Sequence, residues 1–122
     1  MSVDNSIFVS FKYAIDGIKT AIKKEPNFRT HLTVALATLI TAYIVGFTTS
    51  EWLLLAFTIS LVFILELLNT ALESIVDLVS PEISAKARIA KDVSAAAVLL
   101  SAILAVIVGV VLFTPKILQL FN

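Results

Sequence analysis

The sequence contains no cysteine, which excludes disulfides, thiolate metal sites and cysteine nucleophiles. Charge is also scarce: 15% of the 122 residues are charged, and nine basic residues balance nine acidic ones, so nothing points to a nucleic-acid partner. Only three glycines occur, and no Gly-x-x-x-x-Gly-Lys loop of the soluble phosphate-binding type is present. Hydrophobic residues instead make up 59% of the chain. So short a chain has too little interior to bury that much apolar surface, so the composition predicts a small membrane protein.

Three stretches are long and apolar enough to cross a bilayer, which takes about 20 residues of helix. Residues 32–50 and 93–113 carry no charge, and residues 52–65 are uncharged up to Glu66. We therefore expect membrane spans over about residues 30–49, 52–79 and 92–114, within one domain of residues 1–122.

In the segment before the first stretch, apolar residues and charged residues each recur with a helical period. One side is apolar and the other charged; the apolar positions are Ile7, Phe8, Phe11, Ile15, Ile18 and Ile22, and the charged positions are Lys12, Asp16, Lys19 and Lys23. This pattern predicts an amphipathic helix over about residues 5–24 that lies on the membrane surface. Pro26 should end it, because the residue before a proline avoids helical geometry.

Basic residues are distributed unevenly around the three predicted spans. They precede the first span and separate the second from the third, whereas residues 48–51 contain none and the tail has only Lys116. By the positive-inside rule, the N-terminus and the second loop should face the cytoplasm.

The second span carries a polar stripe, made of Glu66, Asn69, Thr70, Glu73 and Asp77. Spacings of three and four place these residues on one helix face. Hydrogen bonds between helices would explain the amide and the hydroxyl, but two nearby acids repel each other unless a proton or a cation joins them. Because a carboxylate inside a bilayer costs about 2.5–3.5 kcal/mol or more, the stripe favours a functional site.

The predicted topology brings further charges to the level of this stripe. The charged residues at that level are Glu25, Arg29, Glu73, Asp77, Lys91 and Asp92. Carboxylate oxygens beside a lysine suit Mg²⁺ and phosphate groups, and phosphoryl transfer needs little else from a protein. Glu66 is the deepest acid and is our candidate general base. We expect His31 to make a hydrogen bond at an interface rather than to take part in catalysis.

Three blocks of this sequence resemble the prokaryotic diacylglycerol kinase family. The longest runs from Glu66 to Asp77 and reads Glu-Leu-Leu-Asn-Thr-Ala-Leu-Glu-Ser-Ile-Val-Asp; the others are residues 25–31 and 90–98. The resemblance implies an all-α membrane protein with an N-terminal amphipathic surface helix and three transmembrane helices, assembled as a homotrimeric bundle. It also implies phosphorylation of a lipid alcohol by Mg²⁺ and ATP at the cytoplasmic face of a bacterial cell membrane.

The same resemblance assigns roles by position. Glu66 would be the catalytic base, and Glu25 and Glu73 would bind the metal. The ATP-binding residues would be Tyr13, Glu25, Glu73, Glu82, Lys91 and Asp92. Asn69, Asp77 and Arg29 would support the site.

The lipid substrate and two other classes of function stay open. Four features look more like the undecaprenol kinase branch of the family than the diacylglycerol kinase branch: Asn27-Phe28-Arg29-x-His31, Glu51-Trp52, Asn69-Thr70 and Pro115-Lys116. A cation- or proton-coupled transporter would also use membrane acids. A regulatory subunit would use the stripe only to bind a partner helix.

A ridge of small residues lies on the third span, at Ala97, Ser101, Ala105 and Gly109. Small side chains at a spacing of four let another helix approach closely. Together with the few surfaces available in a single copy, the ridge predicts tight helix packing in a homo-oligomer.

Overall fold

A computed structural model describes residues 6–122, which contain four helices and no strand. The helices are α1 (Ile7–Lys24), α2 (Pro26–Val45), α3 (Thr49–Val79) and α4 (Ala85–Gln119). The last three are long and apolar enough to cross a membrane, which confirms the predicted all-α fold with three membrane helices. The predicted start of the first helix, at about residue 5, lies outside the described residues.

The corner between α1 and α2 is built around a proline. Glu25 takes an extended backbone (φ −111°, ψ 104°), as expected of a residue before proline, and Pro26 occupies the first turn of α2. Helix α2 therefore begins four residues before the predicted span. The Arg29 guanidinium donates hydrogen bonds to the carbonyl oxygens of Ile22 (2.7 Å) and Lys23 (3.1 Å), which α1 leaves unpaired at its end.

A tight turn at residues 46–48 reverses the chain between α2 and α3; we call this side of the bundle the hairpin end and the opposite side the α1 end. Gly46 takes a left-handed backbone (φ 79°), which glycine adopts without the steric cost of a side chain. The Thr48 hydroxyl accepts a hydrogen bond from the backbone N–H of Glu51 (3.3 Å) and so caps α3.

Aromatic packing and one ion pair close the hairpin end. The Phe47 ring lies 5.9 Å from Trp52 and 4.7 Å from Phe113, measured between ring centroids, so the turn is packed against both α3 and α4. Beside these rings the Lys116 Nζ lies 3.4 Å from Glu51 Oε1 and donates to the Gly46 carbonyl oxygen (3.2 Å). One lysine thus joins the last turn of α4 to the hairpin and to α3.

Removing one member of the Glu51–Lys116 pair should destabilise the fold. In Lys116→Met the partly buried Glu51 loses its cation, and we expect the free energy of unfolding to fall by about 1–3 kcal/mol. A Glu51→Leu Lys116→Met variant removes both charges and should recover much of that loss. Thermal unfolding in detergent measures the effect, and a double variant less stable than either single variant would contradict this account.

The three membrane helices pack unequally. Helices α3 and α4 contact each other most extensively, and Ser101 of the small-residue ridge is buried. Helix α2 touches the pair more sparsely, which leaves a groove among the three helices. Large apolar side chains such as Tyr43, Phe57 and Val111 stay exposed on the outside of the bundle. These surfaces are suited to lipid or to another protein chain rather than to water.

Candidate functional site

Glu66 is the one buried acidic residue among residues 6–122, with 3% of its surface exposed. It lies on α3, about 20 Å before the end of that helix, at a depth that places it inside an apolar layer. Its Oε1 approaches the Nδ1 of His31, on α2, to 3.1 Å. The Nδ1–H direction is not aligned for a regular hydrogen bond, so the pair is a close polar contact between two helices.

Two further carboxylates interact electrostatically with Glu66. Glu25, at the corner between α1 and α2, and Glu73, two turns along α3, both lie within electrostatic range of the Glu66 side chain. Like charges at this separation repel, and a cation between them removes the repulsion. The fold therefore gathers acids from two separate segments at one level.

The amide of Asn69 connects this acidic cluster to the polar stripe. Its Nδ2 donates to Glu73 Oε1 at 3.4 Å, which orients the carboxylate. Its Oδ1 is buried and has no hydrogen-bond partner among the described residues. An oxygen acceptor in this position, beside a carboxylate, can serve a cation or the hydrated shell of one.

The donors present fit Mg²⁺ bound together with phosphate rather than Mg²⁺ held by protein alone. Within residues 6–122, no three acidic, histidine or cysteine side chains form a ready metal cage. Mg²⁺ usually takes one or two carboxylates and fills its other positions with water and substrate phosphates. Glu25 and Glu73 supply ligands of that kind and number.

A second cluster lies nearer the α1 end of the bundle, at the start of α4. The Lys91 ammonium forms an ion pair with Asp77 of α3, within hydrogen-bonding distance, and so links the two helices. Asp92 pairs with Arg88 on its own helix at 3.5 Å, in an exposed position. All four side chains border a pocket of about 240 Å³ between the end of α3 and the start of α4. The pocket thus holds two cations, each paired with a carboxylate, and a phosphate group could bind here by taking over the hydrogen bonds of Lys91 or Arg88.

Other residues named from the sequence are not enclosed by a single chain. Tyr13 is 70% exposed on α1, and the Glu82 side chain is exposed in the loop between α3 and α4. The Arg29 guanidinium donates hydrogen bonds to the end of α1, at the corner between α1 and α2. The Thr70 hydroxyl donates to the backbone carbonyl of Glu66 (3.0 Å), so its hydrogen bond is made within its own helix.

Sequence reasoning missed the position of His31 and the part played by Arg88. His31 does lie at an interface between helices, as expected, but its partner there is the deepest acid of the chain. The signal was available: His31 begins the first span, so it lies at the depth of the inner half of the second. Arg88 falls one turn before Asp92, a spacing that predicts the observed ion pair.

Fold and site together define a small helical membrane protein that gathers acids and cations at one end of its bundle. Residues 12–113 match the prokaryotic diacylglycerol kinase family, and the chain belongs to that family of lipid kinases. This membership supports the predicted kinase class rather than the transporter or regulatory-subunit hypotheses.

Relatives in this family carry two different names. The chain is 47% identical over 116 residues to a diacylglycerol kinase of Synechocystis sp., an alignment that covers 94% of this chain and 66% of that protein. It is 39% identical over 112 residues to an undecaprenol kinase of Bacillus subtilis, covering 92% of this chain and 91% of that protein. A diacylglycerol kinase of Haemophilus influenzae is 34% identical over 105 residues, covering 85% and 89% respectively.

Proposed function

We propose that this protein transfers the γ-phosphoryl group of ATP to the hydroxyl of a membrane lipid, with Mg²⁺, and that its substrate is undecaprenol. The burial of Glu66 beside His31, with Glu25 and Glu73 within electrostatic range, carries this proposal. A phosphoryl transfer needs a metal clamp, a cation and a positioned base, and the two clusters supply one of each.

Glu66 is the general base of the proposed reaction. The lipid hydroxyl gives its proton to the Glu66 carboxylate as its oxygen forms a bond to the γ-phosphorus of ATP. The bond between that phosphorus and the bridging oxygen breaks, and ADP leaves. The products are a lipid phosphate, ADP and a protonated Glu66, which then returns its proton to water.

The other site residues hold the nucleotide and its metal. Glu25 and Glu73 would hold Mg²⁺. The bound Mg²⁺ would neutralise part of the phosphate charge. Lys91 and Asp92, with the neighbouring Arg88, bind ATP at the pocket between α3 and α4. Asp77 positions the Lys91 ammonium, and Asn69 positions Glu73. Tyr13 and Glu82 complete the ATP contacts that the family resemblance implies.

The proposed orientation puts the α1 end at the cytoplasmic side of a bacterial cell membrane. Helix α1 lies on that surface, with exposed apolar side chains such as Phe8 and Phe11 in the lipid and its lysines at the headgroups. Three copies form the working assembly. The exposed positions of Tyr13 and Glu82 support this, because a neighbouring copy can enclose side chains that a single chain leaves open.

The choice of undecaprenol over diacylglycerol rests on the sequence features that resemble the undecaprenol branch. Glu51 and Lys116 stand in two of those features, and their side chains form one ion pair. Coverage does not separate the substrates, because the undecaprenol kinase of Bacillus subtilis is matched over 91% of its length and the diacylglycerol kinase of Haemophilus influenzae over 89%. The higher identity to the Synechocystis diacylglycerol kinase favours diacylglycerol, which is therefore the second candidate.

A competition assay separates the two substrates. Purified protein in mixed micelles receives labelled ATP, Mg²⁺ and equal amounts of undecaprenol and a short-chain diacylglycerol, and the labelled lipids are separated by chromatography. We expect undecaprenyl phosphate to exceed phosphatidic acid by about tenfold, the ratio that about 1.4 kcal/mol of transition-state discrimination produces. An excess of phosphatidic acid would reverse the assignment.

A further inference from the structure

His31, the only histidine of the chain, is the basic side chain that contacts the candidate base. Its Nδ1 lies 3.1 Å from Glu66 Oε1, and within residues 6–122 no lysine or arginine comes within ion-pairing distance of that carboxylate. Glu25 and Glu73 also act on Glu66 electrostatically, but in the proposed site both are occupied by Mg²⁺. His31 is therefore the neighbour that is free to accept a proton from Glu66.

The two side chains of this contact differ in their access to the outside of the bundle. The Glu66 side chain is 4% exposed, whereas the His31 side chain is 26% exposed. His31 lies five residues, or about 7.5 Å, after Pro26, which begins α2 at the α1 end. Helical side chains tilt toward the N-terminus of their helix, which for α2 is that same end. The imidazole thus lies between the buried acid and the proposed cytoplasmic side.

The His31 nitrogen that faces Glu66 is buried and makes no regular hydrogen bond among the described residues. A buried polar atom without a partner costs about 1–3 kcal/mol, so its presence calls for an explanation. The χ2 torsion of histidine is soft, and a turn of the ring about it would align Nδ1 with Glu66 Oε1. A protonated Glu66 could then donate its O–H to that nitrogen. The nitrogen is therefore suited to receive the proton that Glu66 acquires in the reaction.

We propose that His31 relays the proton of Glu66 to water after each phosphoryl transfer. This proposal rests on the proposed function and adds the step that restores the base. The O–H bond of Glu66 breaks as an N–H bond forms at Nδ1 of a neutral imidazole, whose own hydrogen is on Nε2. The resulting imidazolium gives the Nε2 proton to water, and the ring regains its first tautomer by exchanging protons with water. His31 acts through Glu66 and does not touch the reacting atoms.

The first turnover separates a proton relay from a contact that only orients the base. A protein that lacks the relay should complete one transfer at the normal rate and then wait for Glu66 to lose its proton. His31→Gln keeps a group that can hydrogen bond to Glu66 but cannot carry a proton, and His31→Ala leaves space for added imidazole. Thr30→Ala is the matched control, because the Thr30 hydroxyl donates to the Pro26 carbonyl within α2 (3.2 Å).

Lipid phosphate is measured by rapid quenching at saturating ATP, Mg²⁺ and lipid. Both His31 variants should form about one lipid phosphate per site at the wild-type rate and then continue about tenfold more slowly, with the KM for ATP unchanged. Added imidazole should restore most of the later rate in His31→Ala and have no effect on His31→Gln. Thr30→Ala should match the wild-type protein throughout. Thermal unfolding in detergent shows that each variant is folded.

Three results would overturn the relay while leaving the kinase in place. They are a first turnover slowed as much as the later ones, a wild-type steady rate in His31→Gln, and no response of His31→Ala to imidazole. The first two are the results expected if His31 only orients Glu66. Failure of the proposed function looks different, because the wild-type protein would then phosphorylate neither undecaprenol nor diacylglycerol, and both proposals would fall.

Discussion

Replacing Glu66 with glutamine should reduce phosphoryl transfer by about a thousandfold, within the range of 10²–10⁴ that a general base contributes. Glutamine keeps the shape of the side chain and can still meet His31, but it cannot accept the proton of the lipid hydroxyl. The change also removes a buried carboxylate from an apolar layer, so the fold should be at least as stable as before. The measurement is the rate of lipid phosphate formation at saturating ATP and Mg²⁺, with thermal unfolding measured in parallel.

Glu51→Gln is the matched control, since it makes the same substitution on the same helix at the hairpin end. Its amide oxygen can still accept a hydrogen bond from Lys116, so we expect activity within about twofold of wild type. His31→Ala should be intermediate, about tenfold slower, because it leaves the base in place but removes its neighbour. A Glu66→Gln protein with normal activity would show that Glu66 is not the base.

Replacing Glu73 with glutamine should give the second-largest loss of activity, and it should also change how the rate depends on Mg²⁺ concentration. Loss of one metal-binding carboxylate should lower activity at a fixed Mg²⁺ concentration by about a hundredfold, the scale of one lost electrostatic contact in a transition state. Part of that activity should return as Mg²⁺ is raised, because the remaining ligands bind the metal more weakly. Initial rates across a Mg²⁺ titration measure both the loss and the recovery.

Asp16→Asn, an acid on α1 outside the proposed site, is the control for this titration. It should leave the Mg²⁺ dependence unchanged. A Glu73→Gln protein whose Mg²⁺ dependence matches that of wild type would remove Glu73 from the metal site, whatever its overall rate.

Most of the fold could be predicted from the sequence because apolar length is a direct physical constraint. Each membrane helix needs about 20 apolar residues, and the three stretches that provide them became α2, α3 and α4. The ends of the helices were harder to predict from the sequence. Helix α2 starts at Pro26 because a proline fits the first turn, whereas the predicted span began only where the charges end.

The sequence predicted which site residues share a face of one helix, but it did not predict which residues of different helices come into contact. Spacing on α3 showed that Glu66 and Glu73 share a face, since helical geometry is local. The contact of His31 with Glu66 depends on how α2 packs against α3, and no periodicity in either segment specifies that packing. The pairing of Lys116 with Glu51 is similar: it joins residues far apart in the chain through the way α4 ends beside the hairpin.

The most direct measurement of the central claim follows the fate of the γ-phosphate. Purified protein with Mg²⁺ and either undecaprenol or diacylglycerol is given ATP labelled either in the γ-phosphate or in the α-phosphate, and the lipid is extracted into organic solvent. Our account predicts label in the extracted lipid from γ-labelled ATP only, and its loss in Glu66→Gln. Label that stays in the water phase with both undecaprenol and diacylglycerol would contradict the assignment of this protein as a lipid kinase.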